Sequence, residues 1–288
     1  MLSNRPENFI ACDSDYANAD IVLLGAPFDG TTSYRPGARF GPKAIRAESY
    51  GLESYSPYQD RDLLDLCVFD SGDVELALGD TPTVLAQVEE RARIILQDDK
   101  IPFMLGGEHL LSLATVRAVQ ARYPDLHLIH FDAHADLRDD YLGVKLSHAC
   151  VMRRCWELLG SGRIFQFGIR SGERAEFHWA DQGTVMMQRY NFNGLEQVLD
   201  SMIGKPVYFS IDLDVLDPSV LPGTGTPEAG GVSFSELHTA MLAVCRRAHV
   251  VACDLMELCP VCDPSGISTA TAGKLVREML LGLSDHRY

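Results

Sequence analysis

Three short segments concentrate imidazole and carboxylate groups directly after apolar runs: GGEH (Gly106 to His109), DAHAD (Asp132 to Asp136) and DLDVLDP (Asp212 to Pro218). Asp132, His134 and Asp136 recur at alternate positions, so an extended backbone turns all three the same way, and Asp212 and Asp214 repeat that spacing. The runs before them, LHLIHF and PVYFSI, read as buried strands, where strongly hydrated groups are costly unless they bind metal or hydrogen-bond. Asp132, Asp136, Asp212 and Asp214 drawn within a few ångströms would protonate or force each other apart. Two divalent cations would cancel their charge. His109 and His134 add nitrogen ligands, a mixed set that suits manganese, iron, zinc or nickel better than magnesium, and four hard carboxylates favour Mn2+. Two such ions about 3.5–4 Å apart can share a water, lower its pKa and hold it as hydroxide for attack on a planar carbon. The inferred reaction is hydrolysis. Taken singly, each segment also has a plainer reading: a solvated Asp-x-Asp turn, a tightly packed helix start in GGEH, a satisfied core imidazole at His134. His127 and His130, earlier in the same strand, stay open between core and supporting roles.

The elements that must carry these groups are legible as apolar runs of strand length. IVLLGAP (21–27), DLCVFD (65–70), IPFMLGG (101–107), LHLIHFDAH (126–134), RIFQFGIR (163–170), PVYFSIDLD (206–214) and VVACDLMEL (250–258) predict strands covered on both faces, with TVMM (184–187) a weaker eighth. Helical patterns alternate with them. Residues 82–99 place Val84, Val88, Ala92 and Ile95 on one stripe; LSLATVRAVQARYP ends at Pro124; residues 233–249 begin with Ser235 as an expected cap and end on Arg246 and Arg247; ISTATAGKLVREMLLGL packs back on the sheet. With no internal repeat and no Pro/Gly/Ser linker, the expectation is one domain over residues 1–288, three-layer α/β/α with a mainly parallel sheet. An eight-fold barrel is the alternative, since strand counting does not determine closure. Active groups of a parallel sheet gather beyond the C-terminal strand ends, where all three segments fall.

Lys and Arg number 25 against 40 Asp and Glu in 288 residues, so the formal charge of -15 gives no general attraction for nucleic acid or anionic membrane and makes a cationic partner easier. Neither a secretory signal nor an apolar run of membrane-spanning length is read in the sequence. The eight cysteines lie mostly in apolar segments, as expected of reduced thiols in the cytoplasm. Cys259 and Cys262 form a lone CPVC that could be a redox pair or half a zinc site; without a second pair at matching spacing, ordinary turn residues are expected. No dinucleotide or phosphate-loop fingerprint supports a nucleotide cofactor.

GAPFDG, RPGARFGPKAIR, GGEH, HFDAHAD, SHACV, SIDLDVLDP, GTGTPEAGG and DLMELCPVCD together resemble, in order from residue 25 to 263, the ureohydrolase family of arginases and agmatinases. That resemblance implies an eight-stranded parallel sheet, two Mn2+ per subunit, release of urea from a small cationic guanidino compound, and a homo-oligomer, trimer or hexamer. It implies His109, Asp132, Asp136 and Asp212 at one metal and Asp132, His134, Asp212 and Asp214 at the other, Asp132 and Asp212 bridging. The bridging hydroxide would attack the guanidinium carbon, and Asp214 would move a proton as urea parts from the amine. Glu257 matches the acid that grips the guanidinium, a task suited to two coplanar acceptors, with a strand-end ion pair as its plain reading. His148 matches the active-site histidine, able to shuttle a proton or hold the departing amine, with a helix cap as its plain reading. Ala149, Cys150 and Val151 depart from the common family form after that histidine. GTGTPEAGG (223–231) is expected to form a rigid loop near the mouth.

For the substrate, Asp139 and Asp140 in LRDDYLGVKLSH favour a terminal ammonium over a carboxylate, unless they are only a solvated loop. Together with GAPFDG and the short KLSHACV connection they point to agmatine. Guanidinobutyrase and arginase activities are the alternatives, and a non-catalytic polyamine-binding relative is a further one.

Overall fold

In the computed structural model, which describes residues 8–284, the apolar runs become strands β1 (Ile21–Ala26), β4 (Val68–Asp73), β5 (Ile101–Gly106), β6 (His127–Phe131), β7 (Ile164–Ile169), β8 (Met186–Arg189), β9 (Pro206–Asp212) and β10 (His249–Met256), with a minor pair β2 (Tyr55–Ser56) and β3 (Arg61–Asp62) set apart. The absence of a secretory signal was read partly on residues 1–7, which lie outside the described residues. Eight strands form one sheet in the order β4-β1-β5-β10-β9-β6-β7-β8, every neighbouring pair parallel. The order ends on β4 and β8 rather than closing, so the barrel alternative is excluded.

Burial explains why the strand sequences are apolar throughout. Residues of β1 and β6 are buried along their whole length, while edge strand β8 is not. Along β1, Ile21 and Leu23 face one core and Val22 and Leu24 the other. Helices α1 (Gly41–Ser49), α6 (Leu195–Ser201), α7 (Phe234–Arg247) and α8 (Ile267–Leu283) cover the first face. Helices α2 (Thr81–Gln97), α3 (Ser112–Arg122), α4 (Val151–Leu159) and α5 (Arg174–Ala180) cover the second. The result is the three-layer α/β/α arrangement, and the predicted stripe of α2, Val84, Val88, Ala92 and Ile95, is buried.

Local differences have local causes. Helix α7 is capped by Ser233, not Ser235: its hydroxyl accepts from the Glu236 N–H while the Glu236 side chain returns to the Ser233 N–H, a reciprocal box that starts the helix earlier. The strand expected from residue 65 begins at Val68 because Leu63–Asp65 turn into a 3-10 helix capped by Asp62. None of the helices is long and apolar enough to cross a membrane among the described residues.

Arg46 of α1 is buried and donates to both oxygens of Asp70 on β4, at 2.8 and 2.9 Å, and also to Asp73. Truncating one partner of such a pair strands the other's charge in the core, which costs about 3–5 kcal/mol. Arg46→Ala is therefore expected to lower unfolding free energy by that amount in denaturant titration; a loss under about 1 kcal/mol, the size of an exposed pair, would contradict it.

Candidate functional site

Four adjacent central strands, β5, β10, β9 and β6, deliver the chemistry at their C-terminal ends. His109 opens a 3-10 turn just beyond β5, Asp132 follows β6, Asp212 closes β9, and Glu257 follows β10. Asp214 sits in the 3-10 turn Leu213–Val215, held because its N–H donates to Asp212 Oδ1 at 2.9 Å. Three loops, those after β1, β5 and β10, interlock beside them. Glu108 N–H donates to Phe28 O, Glu257 N–H donates to Gly107 O, and a Cβ at Gly107 would lie 1.9 Å from Phe28 O, so only glycine allows this approach. Asp136 and Glu257 both take positive φ, 53° and 67°, a strained choice for Glu257 that turns its carboxylate under His109.

The six aspartates and histidines read as ligands converge. His109 Nδ1 lies 3.0 Å from Asp212 Oδ2, 3.2 Å from Asp132 Oδ2 and 3.7 Å from Asp136 Oδ2. His134 Nδ1 lies 2.9 Å from Asp214 Oδ2 and 3.6 Å from Asp132 Oδ1. Asp132 thus stands between both imidazoles. One side chain left open by the sequence also joins: His130 Nε2 is 2.8 Å from Asp132 Oδ2. Its ring is not aligned to donate there, so both atoms lack a hydrogen-bond partner, as does Asp214 Oδ2. His127 stays apart, its Nδ1 on the Asp125 carbonyl at 2.8 Å.

The electrostatics show what is needed here. Burial, reinforced by Asp214 and Asp132, pushes the Asp212 carboxyl well above its ordinary value; burial and Asp132 do the same to Asp136. Burial opposes charge on His109 and His134 as well, yet the surrounding aspartates hold both well above the usual imidazole value. Burial would also raise Asp132, but His130 and the flanking imidazoles hold it well below. Such a cluster favours protons or other positive charge among its carboxylates. Buried carboxylate oxygens without donors, arranged with imidazoles in the groups His109, His130, Asp132 and Asp132, His134, Asp214, fit divalent cations.

His109 is oriented from behind. Tyr208 Oη and Ser210 Oγ donate to Asp254 at 2.5 and 2.7 Å, and Ser210 Oγ lies 2.8 Å from His109 Nε2. Having given its one hydrogen to Asp254, Ser210 accepts from Nε2–H, which leaves Nδ1 as the nitrogen turned to the aspartates, able to donate to Asp212 or, once deprotonated, to bind a cation. Sequence reasoning missed this relay, although an aspartate inside the apolar run VVACDLM was a signal.

A cavity of about 240 Å3 opens above the cluster, lined among others by His109, His134, Asp136, His148, Asp212 and Glu257. Glu257 Oε1 accepts the His109 N–H at 2.8 Å, and burial followed by the charges of Asp212 and Glu108 raises its carboxyl well above the ordinary value. His148 makes no side-chain cap to the helix that follows. Its Nδ1 lies 3.4 Å from Thr31 Oγ1 and its Nε2 3.4 Å from Ser33 Oγ, and burial lowers its pKa to about 4. Thr31 in turn donates through N–H and Oγ1 to buried Glu108, whose carboxyl is raised to about 7 by burial. The role of Glu108 was hidden inside GGEH, where only the histidine was read.

Asp139 and Asp140 require a correction. Both are exposed and do not line the cavity; Asp139 pairs with Arg154 at 2.7 Å and Lys145 at 3.6 Å, and Asp140 Oδ1 accepts the Gly143 N–H at 2.9 Å. Their charges are met by Arg154, Lys145 and the Gly143 N–H. Buried Glu176, which the sequence reading passed over, lines the cavity instead, its oxygens accepting the Leu137 and Glu173 N–H groups. The 223–231 loop does reach the mouth through Thr226. Arg35 holds its Thr224 and Gly225 carbonyls at 2.9 and 3.1 Å, and Arg170 holds the Glu228 carbonyl at 2.8 Å.

The Arginase family model matches residues 19–282. The chain is 47% identical to an agmatinase from Bacillus subtilis (strain 168), over 95% of each protein. Among solved structures it resembles the agmatine ureohydrolase of Thermoplasma volcanium (TM-score 0.88, 35% identity, 97% of this chain and 95% of that one). It also resembles proclavaminate amidino hydrolase from Streptomyces clavuligerus (TM-score 0.90, 30% identity, 98% of both chains).

Two outcomes follow from the geometry. Ser210→Ala removes the acceptor that fixes His109 and is expected to weaken divalent-cation binding about 10–100-fold by calorimetric titration; unchanged affinity would contradict the relay. The second concerns metal-stripped protein. Asp136 and Asp212 have raised folded pKa values, so their contribution is fully present below the unfolded carboxylate range, about pH 4, and is lost as pH rises through the raised values. Asp212→Asn should flatten part of that fall in denaturant unfolding followed from pH 4 to 8 in chelator, and a bound divalent cation should offset it in the unsubstituted protein. A fall of the same steepness in the variant would refute the assignment.

Proposed function

The chain belongs to the arginase family, and on that premise we propose that it hydrolyses agmatine to putrescine and urea with two Mn2+ ions in the strand-end cluster. His109, Asp132, Asp136 and Asp212 would hold one ion and Asp132, His134, Asp212 and Asp214 the other. Such a pair, when bound, supplies Lewis-acid activation of water near neutral pH. The observation that carries this reading is that His109, His134, Asp136, Asp212 and Glu257 border one small cavity, with Asp132 and Asp214, whose Oδ2 atoms lack partners, against the same two imidazoles.

The remaining work falls to the chain's own groups. Glu257, fixed through Oε1 by the His109 N–H, presents a carboxylate to the planar guanidinium, and a cationic substrate offsets the neighbouring charge that otherwise raises its pKa. Asp214 has Oδ1 tied to the Ala133 N–H at 3.1 Å, leaving Oδ2 to carry a proton toward the departing amine. His148, neutral through the physiological range, can accept or pass a proton beside Thr31 and Ser33. Burial of Asp132, Asp212 and Asp214 keeps bulk water from competing.

Charge on the lining favours the diamine-like substrate. Asp136, Glu176, Asp212 and Glu257 are present with Arg138, and Arg138 is already engaged by Glu173 at 2.8 Å. A carboxylate-ended substrate such as arginine or 4-guanidinobutanoate would need that cation free. We also assign the protein a homo-oligomeric state, trimer or hexamer, from family likeness, and the cytoplasm, supported by six buried free thiols.

Urea release by Mn2+-reconstituted protein tests the substrate: kcat/KM is expected to be highest for agmatine, and a preference for arginine or 4-guanidinobutanoate would overturn the assignment. Glu257→Gln should lower kcat/KM for agmatine about 30-fold or more, equivalent to roughly 2 kcal/mol from a desolvated charge pair. Asp132→Ala should reduce both bound Mn2+ and turnover to near background.

A further inference from the structure

We propose that Cys259 and Cys262 form a redox-modification site, a dithiol that low-molecular-weight disulfides oxidise to an intramolecular disulfide. The pair lies outside the hydrolytic cluster, on the arm that leaves β10 just after Glu257. Cys259-Pro260-Val261-Cys262 folds as a 3-10 turn in which the Cys262 N–H donates to the Cys259 carbonyl at 3.0 Å. Such an i to i+3 turn keeps the two Cα atoms within about 7 Å, near the span a disulfide bridges. The two sulfurs are 3.0 Å apart, so bonding requires about 1 Å of further approach to reach the usual ~2.05 Å.

The surroundings hold this geometry in place. The Cys259 N–H donates to Gly223 O at 2.7 Å, and its sulfur lies 3.7 Å from Pro36 O. Gly37, at φ 139°, packs so closely that a Cβ there would meet Cys259 Sγ at 2.8 Å and Val261 Cγ2 at 2.3 Å. The turn is thereby confined from the side of the 35–46 segment and cannot easily separate its sulfurs. Exposure differs between the two: Cys259 is buried and Cys262 only partly so. Burial, followed by the hydrogen bond with Cys262, pushes the Cys259 thiol up to about 12. Cys262 is accordingly the sulfur that meets a reagent and Cys259 the one that resolves.

The chemistry balances as two exchanges. Cys262 thiolate attacks one sulfur of the small disulfide, forming a mixed disulfide and expelling one small thiolate. Cys259 then loses its proton and attacks Cys262 Sγ, forming the internal bond and expelling the second thiolate. The protein loses two hydrogens, and the small disulfide is reduced to two thiols.

The test uses full-length Mn2+-loaded protein incubated with oxidised glutathione, alkylated, and mapped by peptide mass. The peptide spanning 259–262 is expected to lose two hydrogens, carry no glutathione, and return to the dithiol in dithiothreitol. Cys259→Ser should instead stop at a glutathione adduct on Cys262. Exposed Cys67 reports in the same digest that reagent was active. A stable adduct on Cys262 of the unsubstituted protein, or an unmodified pair beside a modified Cys67, would overturn the proposal. Because the readout is mass rather than urea, it stands or falls separately from the hydrolytic assignment.

Discussion

Repulsion among buried carboxylates is the constraint around which this molecule is organised. Asp132, Asp212 and Asp214 are buried to within a few per cent of full enclosure; Asp212 lies against His109, Asp214 against His134, and Asp132 against both. A protein cannot keep such a set ionised without positive charge among them. Strand ends can hold it because their backbone positions are fixed by the sheet, not by the side chains they carry. A loop of the same composition would open, whereas β6 and β9 are paired along their length and cannot yield without breaking the ladder.

Support for the cluster comes in two tiers that use different chemistry. Close to the cluster, backbone N–H groups settle individual carboxylate oxygens: Ala133 on Asp214, His134 on Asp132, His109 on Glu257. Further back, Asp254 works through Ser210 on the tautomer of His109, and Glu108 works through Thr31 on the neighbourhood of His148. The first tier aims lone pairs into the site. The second determines which ring nitrogen bears the proton, so it sets chemical identity more than position.

The sheet and the six ligand candidates were legible because both depend on local rules: apolar runs of strand length, and two-residue alternation at their ends. Strand order was not legible, since runs give neighbours in sequence but not partners in space, and closure into a barrel stayed open until β4 and β8 were found at opposite edges. The placement of Asp139 and Asp140 outside the cavity lining was hidden for a related reason. Charge type was readable, but Arg154, fifteen residues away on the next helix, had already claimed Asp139. His130 was left open between core and supporting roles and Glu108 was not singled out, because their significance depends on Asp132 and Thr31, contacts made only by the fold.

The grip of Arg35 and Arg170 on the 223–231 loop is exerted entirely on carbonyl oxygens. Scaffolding and display are therefore carried by different atoms of one peptide: the main chain takes the clamp, while side chains such as Thr226 face the ligand space. Evolution, or a designer, could vary what the rim offers an incoming amine without disturbing the shape of the rim.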